Sequence, residues 1–458
     1  MESQKINNVF RLAWSAPPVI IEKITRRIKY SRLLPIVSVS CKAMRQKKRL
    51  PPGGFIALNL AELSDQQFLL KQSQRIGPVF KAIWGRKYCT CIVGLPLCRR
   101  FLDQHSNDVR PQSLELESLF PKGFLRRMQG EDHKKYRRLI LKSIDSQIIT
   151  RDSTLFEKIV TDELAAFQSQ QIGDVCPPER YIETLKNIAN RLLIHIFFGA
   201  QPGSDYFEKL EKMYNDLGPD GLVWVPEEKQ KRIFNTIHDY LLKQLEKHID
   251  NERSGLQRSI IGRMYCAGDL DETSLGNLIY MVEMGRYDLR LLFRWLSKYA
   301  AENSALLERI AAGNTVAHDG RVSLEEAFVL ETLRLNQSER LMRSVNRDIN
   351  FEGFFIPQGS LVRLCLWESH KSSESFAEPF IFNPDRFIHQ HPTKNQFAPF
   401  GLGNHSCPFA QISIKLSSIF IKMLAMNHKV EAIADGPPFR ATFHWQPAEQ
   451  FSVRLTER

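Results

Sequence analysis

Three short groups of residues in the last third of the chain have types and spacings that could do chemistry. The segment Phe400–Gly401–Leu402–Gly403–Asn404–His405–Ser406–Cys407–Pro408 sets one thiol just ahead of a predicted helix running to about Met426. A thiol at a helix N-terminus feels the dipole and the unsatisfied backbone N–H groups. Both favour thiolate, the form that binds metals and attacks electrophiles, and Pro408 suits the first turn of such a helix. Glu331–Thr332–Leu333–Arg334 puts a carboxylate and a guanidinium at i, i+3 on one helix face. Between the two lies Phe382–Asn383–Pro384–Asp385–Arg386–Phe387. Each group alone is weak, since a Glu/Arg pair is usually a surface ion pair and a lone cysteine usually a small core residue.

In this order and spacing the three groups resemble the cytochrome P450 family, the haem-thiolate monooxygenases, and the resemblance covers about residues 50–458. Phe400, Gly403 and Cys407 match its FxxGxxxCxG haem loop, Glu331 and Arg334 its ExxR helix, and Arg386 the arginine of its PxRF element. Asp348 to Phe387 follows its meander. Gly130–Glu131–Asp132–His133–Lys134–Lys135–Tyr136–Arg137 resembles the helix that offers a pair of donors to a haem propionate, and Gly77–Pro78–Val79–Phe80 the entry to its first sheet. The resemblance implies haem b with Cys407 as the axial thiolate, whose electron donation favours O–O cleavage. Gly401 and Gly403 would let backbone pass close to the porphyrin. His133, Arg137, His405 and Arg343 would meet the anionic propionates. Glu331, Arg334 and Arg386 would form a buried network holding the loop, a structural role. Electrons would come from NAD(P)H through a separate ferredoxin or flavoprotein reductase, because no residues remain for a fused redox domain. The basic cluster Lys134, Lys135, Arg138 and Lys142 would dock such a partner.

The chain departs from the family in its central helix. Where A/G-G-x-D/E-T is usual, it reads Met284–Gly285–Arg286–Tyr287–Asp288, with Trp295 ten residues after Gly285 supporting that register. Tyr287 then takes the acid position and Asp288 the alcohol position. Either Asp288, with Tyr287, replaces the proton relay, or oxygen activation is altered. The alternatives to a monooxygenase are a peroxygenase, an oxygen-independent catalyst, or a haem-binding protein with little turnover. Phe409 stands where the loop usually has Gly, and His405 where Arg is commoner. Gln337–Ser338–Glu339–Arg340 replaces an apolar, proline-containing stretch, which together with Arg286 to Asp288 suggests a polar pocket. Residues 105–129 and 200–235, which resemble the pocket-shaping regions, do not reveal the substrate.

The elements that must position these residues are mainly helical. Residues 79–93 alternate around Gly85–Arg86–Lys87 as a hairpin. Phe207–Leu217, Glu227–Ile249 and Ser274–Ile310 carry helical periodicity. Strands return at Ile349–Phe355 and Ser360–Cys365, around the turn Ile356–Gly359. This is a mainly α, α+β chain, matching the helical bundle with small β-sheets that the resemblance implies.

Charge and cysteines bound the rest. The chain has 458 residues and a formal charge of +12, but residues 1–50 hold 12 Lys/Arg against only Glu2 and Glu22. The excess therefore sits in a leader, and nucleic-acid binding by the body loses its support. In the leader, Ile20, Ile21, Ile24 and Ile28 recur at helical spacing among Lys23, Arg26, Arg27, Lys29 and Arg32. This is a basic amphipathic segment too charged to span a bilayer but suited to an anionic membrane surface. A solvated tail and a transit peptide are the other readings. Leu50–Pro51–Pro52–Gly53–Gly54 breaks the leader, residues 1–49, from the body, residues 50–458. The cysteines at 41, 89, 91, 98, 176, 266, 365 and 407 show no CxxC spacing. A zinc site or disulfide framework is not indicated, and an intracellular setting, cytoplasmic or peripherally membrane-associated, is expected.

Overall fold

Apolar and small side chains alternate on both sides of Gly85, and they fold into the hairpin they predict. The structure is a computed structural model, and it describes residues 34–54, 57–58, 65–85, 87–112, 116, 119–120, 123–145, 147–171, 177–218, 227–250, 255–313, 322–336, 341–389, 391–440 and 445–458. The isoleucine-rich half of the leader, Arg86, Cys176, Gln337–Arg340 and parts of 105–129 and 200–235 lie outside the described residues. The chain forms two compact units. One takes the described residues up to Arg110 with Leu341–Glu368, and the other takes Pro111–Arg340 with Ser369–Arg458.

In the first unit, β1 (Val79–Trp84) pairs antiparallel with β2 (Lys87–Val93), from Val79 opposite Ile92 to Trp84 opposite Lys87. Helices α1 (Leu34–Arg45), α2 (Phe68–Ile76) and α3 (Leu95–His105) accompany a five-stranded sheet. Its other strands are β3 (Val109–Pro111), β4 (Leu341–Val345) and β7 (Leu361–Cys365), in the order β1-β2-β7-β4-β3. Cys89 and Cys91 on β2, Cys365 on β7 and Cys98 on α3 are fully or almost fully buried. Burial holds the Cys91, Cys98 and Cys365 thiols well above their ordinary pKa, so they serve as small apolar core residues.

The expected single strand Ile349–Phe355 is instead two: β5 (Ile349–Phe351) and β6 (Phe354–Ile356) form their own hairpin. Glu352 and Gly353 turn it with φ of 50° and 74°. Two consecutive positive φ values give the turn whose twist matches a tight hairpin, a signal the alternation over 349–355 hides. Arg49 runs beside it. Its carbonyl accepts from Phe355 N at 2.7 Å, and its guanidinium lies 5.1 Å from the Phe354 ring centroid.

The second unit holds most of the longer helices, among them α4 (Gly130–Ser143), α5 (Ser153–Ser169), α6 (Pro178–Phe198), α7 (Asp205–Asp216), α8 (Glu228–His248), α9 (Ile260–Cys266) and α10 (Glu272–Glu302). After them come α11 (Ser304–Ala311), α12 (Leu324–Asn336), α13 (Asp385–His389) and α14 (Ala410–Asn427). Two two-stranded ribbons close the chain: β8 (His428–Ala434) with β11 (Ser452–Glu457), and β9 (Phe439–Arg440) with β10 (Trp445–Gln446).

The long central helix starts where Asp271 caps it, accepting from Ser274 N at 2.7 Å. The expected stretch Ser274–Ile310 breaks at Asn303, whose φ of −131° and ψ of 59° are not helical. Its side chain turns back to the carbonyl of Tyr299 at 2.9 Å, offering the backbone an alternative to the ladder. Around α10 the core is aromatic: Phe293 stacks on Phe420 of α14 with centroids 4.4 Å apart, and Tyr181 of α6 meets Ser297 Oγ at 2.6 Å.

Candidate active site

The helix after Cys407 begins later than its sequence indicates. Phe409 is the N-cap of α14, so Cys407 lies two residues before the cap and Pro408 stands outside the first turn. The loop is closed by backbone: Cys407 N donates to Phe400 O at 2.9 Å, and Ser406 N to Gly403 O at 3.1 Å. Gly401 and Gly403 adopt φ of 91° and 66°, which L side chains resist, so both glycines are demanded by the loop itself. Cys407 ends exposed at the close of this loop.

The glycine missing at position 409 costs nothing locally. Phe409 has φ −102° and ψ 18°, ordinary for any residue. Its ring packs on Phe197 of α6 at a centroid distance of 4.8 Å.

Helix α4 brings its two donors to the same loop. Arg137 donates to Ser406 O at 2.7 Å and to Ser406 Oγ at 3.2 Å, and the His133 and His405 rings stand 3.9 Å apart. Arg137 has no carboxylate hydrogen-bond partner among the described residues, and its burial lowers its pKa. Burial, then the charge of Arg137, lowers that of His133. A half-buried guanidinium beside an accessible thiol, bonded to Ser406 and to no carboxylate among the described residues, fits an anionic group brought in from outside. The donor set therefore fits a haem, with the thiol for the iron and the guanidinium and imidazoles for the propionates. Over the outer face of α4 lies an open pocket of about 530 Å³, lined by His133, Lys134, Arg137, Arg138, Lys142 and Asn404 among others. Lys134 pairs there with Glu131 and Lys142 with Asp269. Arg343 belongs to the first unit. It is buried on β4, opposite Val362, and donates to Met342 O at 3.1 Å.

Glu331, Arg334 and Arg386 come together as expected. Arg334 donates Nε to Glu331 Oε2 at 2.7 Å and Nη2 to Oε1 at 2.8 Å, with both residues fully buried. Its remaining donors reach the carbonyls of His370, Pro379 and Ile381, so all five N–H groups are used. Arg386 Nε adds a bond to Glu331 Oε1 at 3.1 Å, and Asn383 N another at 2.9 Å. These bonds clamp segment 370–383; none of them touches residues 400–407.

The sequence reading missed His370 and Lys371. Lys371 Nζ caps α12 at the carbonyls of Arg334 and Leu335, and the His370 ring accepts from Ala398 N at 3.0 Å. No spacing rule marks either residue, because their partners lie far along the chain.

On α10 the residues of the unusual stretch separate. Met281, Met284, Gly285 and Leu292 are partly exposed and Asp288 is exposed, while the side chains between them are buried. At i, i+3, i+4, i+7 and i+11 they form one accessible stripe along an otherwise enclosed helix. Tyr287 is off this stripe, buried against Leu291 and Met284 with the Arg290 guanidinium 5.1 Å from its ring centroid. Arg286 also points elsewhere. It pairs with Glu283 at 2.7 Å and 3.0 Å and donates to Gly218 O at 2.9 Å. Of the polar pocket expected from Gln337–Arg340 with Arg286, Tyr287 and Asp288, the first four lie outside the described residues, and of the other three Asp288 alone is exposed.

The chain is similar to known proteins in sequence and in fold. The family model described as Cytochrome P450 matches residues 307–444. Abscisic acid 8'-hydroxylase 1 of Arabidopsis thaliana is 26% identical over 393 residues, covering 79% of this chain and 80% of that protein. Ent-kaurenoic acid oxidase of Oryza sativa subsp. japonica is 24% identical, covering 74% and 72%. The solved structure of retinoic acid-bound cyanobacterial CYP120A1 shares the fold, with a TM-score of 0.69 at 19% identity over 90% of this chain and all of that one.

Proposed function

The chain belongs to the cytochrome P450 family and is an oxidoreductase of its monooxygenase class, and on that premise we propose that Cys407 ligates a haem b iron in an enzyme that inserts one oxygen atom of O2 into an apolar small molecule. The observation that carries the reading is the accessible Cys407 thiol beside Arg137, a guanidinium with no carboxylate partner among the described residues. Haem, when bound, supplies oxygen activation driven by thiolate donation.

The protein's own groups do the rest. Phe400, Gly401 and Gly403 shape the loop around the sulfur. Arg137, His133 and His405 neutralise the propionates. Glu331, Arg334 and Arg386 hold the preceding segment. Asp288, the acid on the accessible stripe, holds water and passes protons toward the site; Tyr287, off the stripe, does not. Met281, Met284 and Leu292 line the same stripe and favour a substrate with an apolar hydrocarbon body, so abscisic acid and ent-kaurenoic acid, carboxylic acids named in relatives, are the first to try. A ferredoxin or flavoprotein reductase, fed by NAD(P)H, delivers electrons at the basic face of α4.

No helix among the described residues is long and apolar enough to cross a membrane. The basic segment 1–49 supports attachment at a membrane surface instead.

Three measurements test this reading. The reduced, CO-bound protein should show the family's red-shifted Soret band, and Cys407→Ala should abolish it while Cys266→Ala keeps it. Labelled dioxygen should place one labelled atom in the product. A band that survives Cys407→Ala removes the ligand assignment, and turnover with peroxide but not with a reductase favours a peroxygenase.

A further inference from the structure

The buried network of Glu331, Arg334 and Arg386 ends at residues 370–383, yet the thiolate loop lies some twenty residues further along. Something must carry the order of one to the other. We infer that His370 is the positioning residue that pins the Cys407 loop to the Glu331–Arg334 pair, by accepting the backbone N–H of Ala398 on Nε2.

The path is continuous in hydrogen bonds. Arg334 Nη1 donates to the backbone carbonyl of His370 at 3.1 Å, and Lys371 Nζ returns to the carbonyl of Arg334 at 2.6 Å. The His370 ring, fully buried, accepts from Ala398 N at 3.0 Å. Ala398 O then accepts from Gly401 N at 3.3 Å, and Phe400 O from Cys407 N at 2.9 Å. Phe397 packs beside the imidazole at a centroid distance of 5.3 Å.

The chemistry of the ring agrees with the role. An imidazole that accepts on Nε2 must carry its proton on Nδ1 and be neutral. Burial, with the cations Lys371 and Arg334 facing the ring, holds its pKa well below the ordinary value, so it stays neutral. Nδ1 is buried without a hydrogen-bond partner among the described residues. An unsatisfied buried donor is a standing cost, and aromatic residues of similar size would avoid it. The bond from Ala398 N is what the imidazole Nε2 provides here and an apolar ring of similar size does not.

The proposal rests on Cys407 being the thiolate ligand only for its spectroscopic consequence, so the test has two readouts. On the haem-loaded protein, hydrogen-exchange mass spectrometry follows the peptide containing Ala398, and the reduced CO-bound spectrum follows thiolate ligation. His370→Gln keeps an acceptor at similar reach, His370→Asn retracts it by one methylene, and His370→Leu removes it.

Exchange at Ala398 should rise about tenfold in H370N and H370L, the factor for one lost hydrogen bond of ordinary strength. The thiolate band of those variants should convert faster to the blue-shifted band of neutral-thiol ligation. H370Q should stay close to wild type in both readouts. Wild-type exchange and band stability in folded H370L would overturn the inference. Should H370L not fold, the Gln/Asn contrast decides, and equal behaviour of those two overturns it. Cys407→Ala, with His370 intact, should keep Ala398 protected while losing the band. If it keeps the band, the ligand reading fails and exchange at Ala398 still decides the role of His370.

Discussion

Arg386 donates Nε to Oε1 of Glu331 at 3.1 Å, although the two residues stand 55 positions apart in the chain. The same oxygen accepts from Arg334 and from Asn383 N, so one carboxylate orders a helix, a loop and α13 at once. Glu331 and Arg334 are both fully buried, which makes their geometry stringent. A buried pair is costly to break because the survivor keeps its charge out of water.

Arg334→Lys is therefore not conservative. Lysine keeps the charge but offers three donors from one nitrogen in place of the planar fork that now serves Glu331 and three carbonyls. We expect a loss of about 3–5 kcal/mol in stability. Urea unfolding and soluble yield measure it; an unchanged midpoint would show that the fork carries no load.

Phe409→Gly restores the residue usual in the family and should destabilise this protein. Position 409 needs no left-handed backbone, and the ring packs on Phe197. Losing that contact costs about 2–3 kcal/mol, a partly exposed ring standing below the fully buried case. Thermal melting of the variant against wild type reads this directly, and a higher midpoint for the glycine form would contradict it.

Asp288 and Tyr287 should separate in function as they separate on α10. Asp288→Asn should lower reductase-supported turnover about a hundredfold, the lower range for losing a positioned proton-transfer group, with electrons diverted to reduced oxygen species. Tyr287→Phe should leave the ratio of product to electrons unchanged. The measurement is product formed per NAD(P)H consumed, and equal ratios in wild type and Asp288→Asn would remove Asp288 from the relay.

Acid should weaken the fold through buried histidines. Burial lowers the pKa of His428, and that of His370 well below 6.5. Unfolded, both take up protons as pH falls through about 6.5, while folded they stay neutral until their own lower pKa values. The unfolded state then binds more protons, so stability falls as pH drops from about 6.5, by at most about 1.4 kcal/mol per pH unit for each histidine. Urea midpoints at about pH 7.5 and about pH 5.5 test the sign, and His428→Leu should flatten the dependence.

Much of the site was legible in sequence because its chemistry depends on residue type at short range. Gly401, Gly403 and Cys407 lie in one loop where backbone conformation dictates glycine, and Glu331 and Arg334 share a face by helical period alone. The hairpin around Gly85 followed from alternation in the same way. Boundaries were less legible. The start of α14 at Ala410 and the break at Asn303 depend on which backbone groups find partners, and periodicity does not record that.

The sequence by itself determined the glycine-bearing loop before Cys407 and the glutamate–arginine pair, since each rests on neighbours within a few positions, and the order of these groups along the chain carried the family resemblance. Only the tertiary structure decided that Asp288 lies on the accessible stripe while Tyr287 is buried, that Arg286 is spent on Glu283, and that His370 reaches Ala398. Those choices turn on which face of a helix is covered and on hydrogen bonds between residues 28 to 68 apart. Burial and long-range pairing are properties of the folded chain, and neither is written in the spacing of residues along it.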